Sequence, residues 1–395
     1  MLLIPKTHIN DSLFIEFREY TLKKKRIKGI IFIVIFLVLT ACVKKDIVHQ
    51  ELFETDATDD LINELDDVKH SNNSYEKQEH DTNSETVFAK NKTANSEIIE
   101  QIIQELIKNG SRKWNTESER LAADYIMKLM EGYGYHCIIQ EFPAYEYDLK
   151  ASVKNDYFDL NPYNSEVVGT GHNVIAEKDV GTHKDKVLVI SAHYDTVANE
   201  LGIIDNTSGV VTLLEVARLT ANLDLPYTLR FIFFSSEERY LMGSRYYVSS
   251  LNSEELSKIV GCINIDMVGY RDGEEIVVAT PYFAEDININ PSSKKGVNNS
   301  LTKEWHKIFP ELNTFVKVEG SSDHYPFDKV KIPNMMITQE HFDLETSRKQ
   351  DSDIENLSID ELENTIHLVM EYLKRIDITN VKYENIPYHP KDSGN

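Results

Sequence analysis

Cysteine is scarce in this chain: three in 395 residues, too few to frame a fold with disulfides. Two of them, Cys137 and Cys262, lie in apolar stretches and are expected to be buried free thiols. Basic charge is scarce too. Against 65 Asp and Glu stand 42 Lys and Arg, a net charge of −23, which excludes nucleic acid as a partner because little would neutralise its phosphates. The longest apolar run, residues 29–39, falls short of the roughly 20 residues that cross a bilayer comfortably. No internal repeat is visible. The apolar fraction of 41% suits one globular domain with a substantial core.

That apolar run has a specific setting. Lys23, Lys24, Lys25, Arg26 and Lys28 precede it, and Leu39-Thr40-Ala41-Cys42 follows. A basic cluster, a short apolar stretch and small residues describe an export signal. The tetrad ending at Cys42 resembles the lipobox of bacterial lipoproteins. The resemblance implies a signal peptide over 1–41, lipidation of Cys42 and a chain held on the extracytoplasmic face of a cell membrane. An uncleaved anchor is the alternative, and it also places the remainder outside the cytoplasm. Residues 42–96 are rich in Asp, Glu, Asn, Ser, Thr and Lys with few aromatics, the composition of an acidic disordered tether.

Order is expected from residue 97 to 379, with a short tail over 380–395. Ile98, Ile99, Ile102, Ile103 and Leu106 recur at helical spacing, and Thr116 opens a second helix. Strands are expected at 137–142, 173–177, 187–192, 229–234, 259–265, 276–279 and 334–338. Helices are expected at 208–222, 239–250, 298–309 and 359–376. Continuous apolar strands interleaved with helices predict a mixed, largely parallel α/β sheet with helices on both faces.

Charged residues gather where those strands end. The strand from Val187 delivers Ser191-Ala192-His193-Tyr194-Asp195, and open α/β sheets form their sites beyond the carboxyl ends of strands. His193 and Asp195, two apart, point the same way on an extended chain, as two ligands or as a ligand and the carboxylate that orients it. Asp205 precedes a helix, where capping is the ordinary role for it or Ser208. Glu237 and Glu238 end the strand from Leu229. Adjacent carboxylates at the end of a buried strand repel each other unless one holds a cation and the other faces an activated water. Asp266 ends a further strand ahead of Gly269, a position often filled by a turn residue.

Together the segments SAHYDT, DNTSG, SSEE, NIDMVG and SSDHYPF resemble the di-zinc aminopeptidases of clan MH, which include secreted bacterial leucyl aminopeptidases and relatives of glutamate carboxypeptidase II and glutaminyl cyclase. The resemblance covers about residues 110–376. It implies the zinc exopeptidase α/β/α sandwich and two zinc ions. His193 and Asp266 would bind one ion, Glu238 the other, and Asp205 would bridge them. Glu237 would be the general base and Asp195 would orient His193. The activity implied is hydrolysis of the first peptide bond of substrates with a free N-terminus, by a water shared between the metals.

One position departs from the family. The last ligand there is a histidine, a dozen or so residues after a turn matched here by Lys331-Ile332-Pro333, and this chain has Glu345 in its place. Asp351 or Asp353 would stand in for a displaced aspartate. Glu345 is the expected fifth ligand, with His341 next and His324 third. A carboxylate there weakens the Lewis acidity of the second ion, so manganese or cobalt could replace zinc. Changing Glu345 to His is expected to raise zinc-dependent turnover, and an unaltered rate and metal stoichiometry would refute this. The alternatives are a one-zinc acyltransferase of the glutaminyl cyclase type and a peptide-binding lipoprotein with weakened catalysis.

Overall fold

The computed structural model describes residues 94–146, 160–161, 164–178, 185–273, 275–281, 299–312, 316–318, 322–339 and 354–384. Cys42 and the tether up to residue 93 lie outside these, as do His341, Glu345, Asp351 and Asp353. No helix among the described residues is long and apolar enough to cross a membrane.

Eight strands form one sheet in the order β1-β2-β4-β3-β5-β8-β6-β7. They are β1 (His136–Tyr145), β2 (Val167–Glu177), β3 (Val187–His193), β4 (Thr228–Phe234), β5 (Ile259–Ile265), β6 (Ile276–Thr280), β7 (Val316–Val318) and β8 (Asn334–Gln339). The central run β4-β3-β5-β8 is parallel. Antiparallel β1 and β2 extend one side, and β6 enters antiparallel to β8 on the other. The mixed sheet predicted from the strand pattern is the one observed, with β7 as an additional short strand.

Alternation along the central strands builds two cores. Leu188, Ile190 and Ala192 of β3 with Leu229, Phe231 and Phe233 of β4 join the larger one. Val187 and Val189 with Ile232 and Phe234 join the smaller one on the opposite face. Helices α1 (Ser96–Ile107), α2 (Glu117–Gly132), α3 (Gly209–Thr220) and α8 (Ile359–Arg375) bring residues to the larger core. The other face is covered by α4 (Met242–Ser250), α5 (Ser253–Lys258) and α7 (Tyr325–Lys329), while α6 (Ser300–Ile308) packs Trp305 against Tyr372 of α8. Helix α3 is buried on nearly every side, as expected of a helix apolar all round. Within it an ion pair, Arg218 Nη2 to Glu215 Oε2 at 2.8 Å, is fully buried.

Helix boundaries follow local chemistry. Asn95 caps α1 through its side chain, Thr116 caps α2, and Ser358 caps α8. Two expected starts are corrected. The helix after Glu238 begins at Met242, because Tyr240 and Leu241 take left-handed backbone angles, φ 64° and 57°, that no helix accommodates. The helix after Asp205 begins at Gly209, and neither Asp205 nor Ser208 caps it; the Gly209 amide donates to Asn206 Oδ1 at 2.9 Å. Packing also continues past Thr379: Ser300 Oγ donates to the Lys382 carbonyl, and Lys303 pairs with Glu384 at 2.8 Å. Cys262 is buried as expected, whereas Cys137 is only half-buried.

Candidate metal centre

Because β3, β4 and β5 are parallel neighbours, their carboxyl ends line up along one edge of the sheet. His193 is the last residue of β3, Asp266 follows β5, and Glu237 lies three residues beyond β4. Asp205 arrives from the irregular turn Ile203–Ser208. Asn206 ties that turn to β5: its Nδ2 donates to the Ile265 carbonyl at 2.9 Å, and its Oδ1 accepts from the Met267 amide at 3.2 Å. Gly209 completes the join, since a Cβ there would meet Asn206 Oδ1 at 2.4 Å and the Ile265 carbonyl at 2.5 Å.

The ligand atoms of His193, Asp205 and Asp266 all lie within 4.8 Å of one another. His193 Nδ1 sits 3.2 Å from the Asp195 carbonyl, which can only accept, so the ring proton is on Nδ1. That leaves Nε2 presenting a lone pair. It is 3.0 Å from Asp205 Oδ1, 3.4 Å from Asp266 Oδ1 and 4.0 Å from Glu237 Oε2. Nε2 and Asp266 Oδ1 are both buried without a hydrogen-bond partner among the described residues. A lone pair facing carboxylate oxygens calls for a positive charge between them, either a proton or a metal ion. An imidazole with carboxylate oxygens is a donor set that suits zinc. Glu238 is not among these clustered atoms, and Asp205 is the first carboxylate to act on it electrostatically.

The remaining carboxylates have separate tasks. Asp195 accepts from the Glu237 amide at 2.9 Å through Oδ1 and from the Glu238 amide at 3.3 Å through Oδ2. The same Oδ1 is 3.6 Å from His193 Nδ1, so Asp195 steadies the glutamate turn as well as standing beside the histidine. Asp266 accepts from Ser322 Oγ at 2.5 Å. Asp323, next along, is fully buried, and burial raises its carboxyl to about 7, with Asp195 and Asp266 adding to the rise and His193 and Ser244 opposing it. His324 is buried too, but it is not among the clustered ligand atoms.

Burial also holds Glu237 well above the ordinary carboxylate range, with Asp323, Asp266 and Glu238 adding to the rise and His193 opposing it. It raises Glu238 to about 8, with Asp205 the first carboxylate to add. For His193, burial disfavours the imidazolium, yet Glu237, Asp266, Asp195 and Asp205 together push it well above its usual value. The metal-free protein therefore keeps protons that the unfolded chain releases. Raised carboxyls make stability greatest below about pH 4.5 and erode it as pH climbs through 8, and the raised histidine acts in the same direction. The melting temperature of chelated protein should fall steadily from pH 5 to 8. Zinc should remove the decline. A flat profile in chelator would refute the clustering of charge.

Sequence reading did not single out two residues that support this edge. Glu119 of α2 is fully buried; it accepts from Tyr194 Oη and from Ser235 Oγ at 2.8 Å, and its other oxygen faces His172 Nδ1 at 3.2 Å. One carboxylate thus links the residue after His193 to the segment leading into Glu237. Arg112, also buried, donates to the Tyr194 carbonyl at 2.7 Å, the Leu201 carbonyl at 3.0 Å and Thr207 Oγ1 at 2.8 Å, bracing the loop that carries Asp205. Glu119→Gln should leave one buried donor unmatched, costing about 1–3 kcal/mol, and should lower kcat by about tenfold with metal content retained. Unchanged melting temperature and kcat would remove Glu119 from the site's support.

Residues 173–373 match the model of peptidase family M28. The chain belongs to this family. The leupeptin-inactivating enzyme 1 of Streptomyces exfoliatus is 34% identical over 166 residues, which are 42% of this chain and 35% of that protein, so the match spans little over a third of the relative. A zinc aminopeptidase from Bacillus subtilis has the same fold, with a TM-score of 0.58 at 18% identity over 74% of this chain and 99% of that one. A glutaminyl cyclase from Bacteroides thetaiotaomicron, bound to N-acetylhistamine, gives a TM-score of 0.54 at 17% identity over 72% and 99%. At these identities the likeness is one of fold, and M28 membership is what the cluster at the strand ends shares with the sequence match.

Proposed function

We propose that this M28 protein is a zinc-dependent aminopeptidase, tethered outside the cytoplasm through Cys42, that hydrolyses the first peptide bond of substrates with a free N-terminus. The observation that carries the reading is the placement of Glu237. Its carboxylate lies 4.0 Å from His193 Nε2, next to the clustered ligand atoms, and its amide is fixed by Asp195. His193, Asp205 and Asp266 would hold one ion, and Asp205 with Glu238 a second, which Glu345 or His341 would complete. Bound there, zinc supplies Lewis acidity and lowers the pKa of a neighbouring water. Glu237 takes that water's proton on its carboxylate and returns it to the departing amine. Asp195 keeps Glu237 and Glu238 in register during the transfer. The carboxylates attract the substrate's α-ammonium, which favours chain ends over internal bonds.

Cyclisation of N-terminal glutamine is the second reading, favoured only by the shared fold. The approach of His193, Asp205 and Asp266 to one another, with Asp205 the first carboxylate acting on Glu238, supports the peptidase reading instead. The deciding experiment measures zinc by elemental analysis beside release from aminoacyl chromophores and cyclisation of a Gln-initiated peptide. Two metals with amino-acid release uphold the proposal. One metal with cyclisation replaces it, and neither activity leaves a binding protein.

A further inference from the structure

We propose that Arg239, seated on Trp114, over whose ring Lys113 also lies, is a subsite for a carboxylate carried by the substrate downstream of the cleaved bond; this rests on the aminopeptidase reading above. Arg239 follows Glu238 directly, so its Cα is only about 3.8 Å from that of a residue facing the metal centre. The turn that presents it is closed by the Leu241 amide on the Glu237 carbonyl at 2.9 Å and the Arg239 amide on the Ser236 carbonyl at 3.3 Å. Trp114 reaches the same rim from another direction. Arg112, two residues earlier, exchanges hydrogen bonds with Thr196, its amide to Thr196 Oγ1 at 2.9 Å and its carbonyl from the Thr196 amide at 3.3 Å. Thr196 is three residues past His193, so Lys113 and Trp114 border the loop that leaves the site.

The guanidinium carbon lies 4.5 Å from the Trp114 ring centroid, and Lys113 Nζ lies 5.9 Å from the same ring. Nη2 donates to the Tyr145 carbonyl at 3.3 Å. Nε is buried with no acceptor among the described residues, and no described carboxylate forms an ion pair with Arg239. A guanidinium carries five donors in a planar fork, and here one of them is committed. The indole holds the guanidinium in place, and its Nη donors not committed to Tyr145 are the ones that can take a carboxylate. The charge balance gives this cation a reason. The site gathers His193 with Asp195, Asp205, Glu237, Glu238, Asp266 and Asp323, carboxylates that repel an anionic substrate, whereas Arg239 and Lys113 attract one. The carboxylate can be the C-terminus of a short peptide or an acidic side chain beyond the first residue, and the chemistry of capture is the same.

The test compares the zinc-loaded protein on Leu-Gly-Gly against its C-terminal amide, and on Leu-Glu amide against Leu-Gln amide. The first pair reads the chain terminus, the second the side chain. The wild type should favour the carboxylate member of at least one pair by about tenfold or more, mainly through KM. Arg239→Gln should bring that ratio to about one, Arg239→Lys should recover part of it, and Lys113→Gln should reduce it less. A ratio near one in the wild type for both pairs, or a ratio unmoved by Arg239→Gln, overturns the proposal. Failure of the wild type to cleave any of the four peptides counts against the aminopeptidase reading alone. The subsite is then read by calorimetric binding of the same peptides, where equal affinities for acid and amide in the wild type overturn it.

Discussion

Exchanging Glu237 for Gln is expected to lower kcat by about 10²–10⁴-fold while zinc content stays at the wild-type value. Glutamine keeps the size and shape of the side chain but cannot take up a proton from water. The feature that positions residue 237 is its backbone amide on Asp195 Oδ1 at 2.9 Å, which the substitution leaves intact. His193, Asp205 and Asp266, the three residues whose ligand atoms cluster, are untouched. The variant thus isolates proton transfer from metal binding. A second consequence concerns the chelated protein. Glu237 is one of several carboxylates crowded into a buried space, and burial together with Asp323, Asp266 and Glu238 raises its pKa. Removing its charge should raise the melting temperature of metal-free protein at pH 8. Elemental analysis, steady-state kinetics and melts in chelator read the three effects. Retention of more than about a tenth of wild-type kcat would remove Glu237 from the role of general base.

The parts of this molecule legible in the sequence are those with a short-range signature. The strand at Val187 is buried on both faces, and its unbroken apolar run showed that; its end at His193 followed from the polar residues beyond. The chemistry was legible because His193, Asp205, Glu237 and Asp266 each stand at the end of such a run. What the sequence concealed depends on contacts between distant segments. Asp205 stands at the head of a helix like a capping residue, and only the fold turns it to within 3.0 Å of His193. Glu119 has the position of a first-turn helical acid, yet it is fully buried because Tyr194 and Ser235 converge on it. Arg112 sits in a polar stretch between helices, and its partners lie at Tyr194, Leu201 and Thr207. The start of α4 was misplaced because left-handed Tyr240 and Leu241 follow from the turn after β4, a constraint that helix propensity does not register.

Asp205 is where metal binding and electrostatic strain meet, and Asp205→Ala should abolish the first and relieve the second. Its Oδ1 faces His193 Nε2 at 3.0 Å, and it is the first carboxylate, after burial itself, to raise Glu238. The residue therefore acts on both the histidine and Glu238. In the proposed two-metal arrangement a substitution at Asp266 would remove a ligand from one side only. Loss of Asp205 should release zinc from both sides and reduce turnover by at least about 10²-fold, the upper end of what losing an outer-shell partner costs. Excess zinc should not restore the rate, because in the proposed arrangement the missing group is shared by both positions. The chelated protein should change in the opposite sense. With Asp205 gone, Glu238 loses its foremost repelling neighbour, its pKa falls from about 8 toward the ordinary range, and stability should decline less between pH 5 and 8. Asp205→Ala would thus pair an inactive, metal-poor protein with a metal-free state more stable at pH 8 than the wild type's. Full zinc retention would place the shared ligand elsewhere, and an unchanged pH profile in chelator would show that Asp205 does not set the charge state of Glu238.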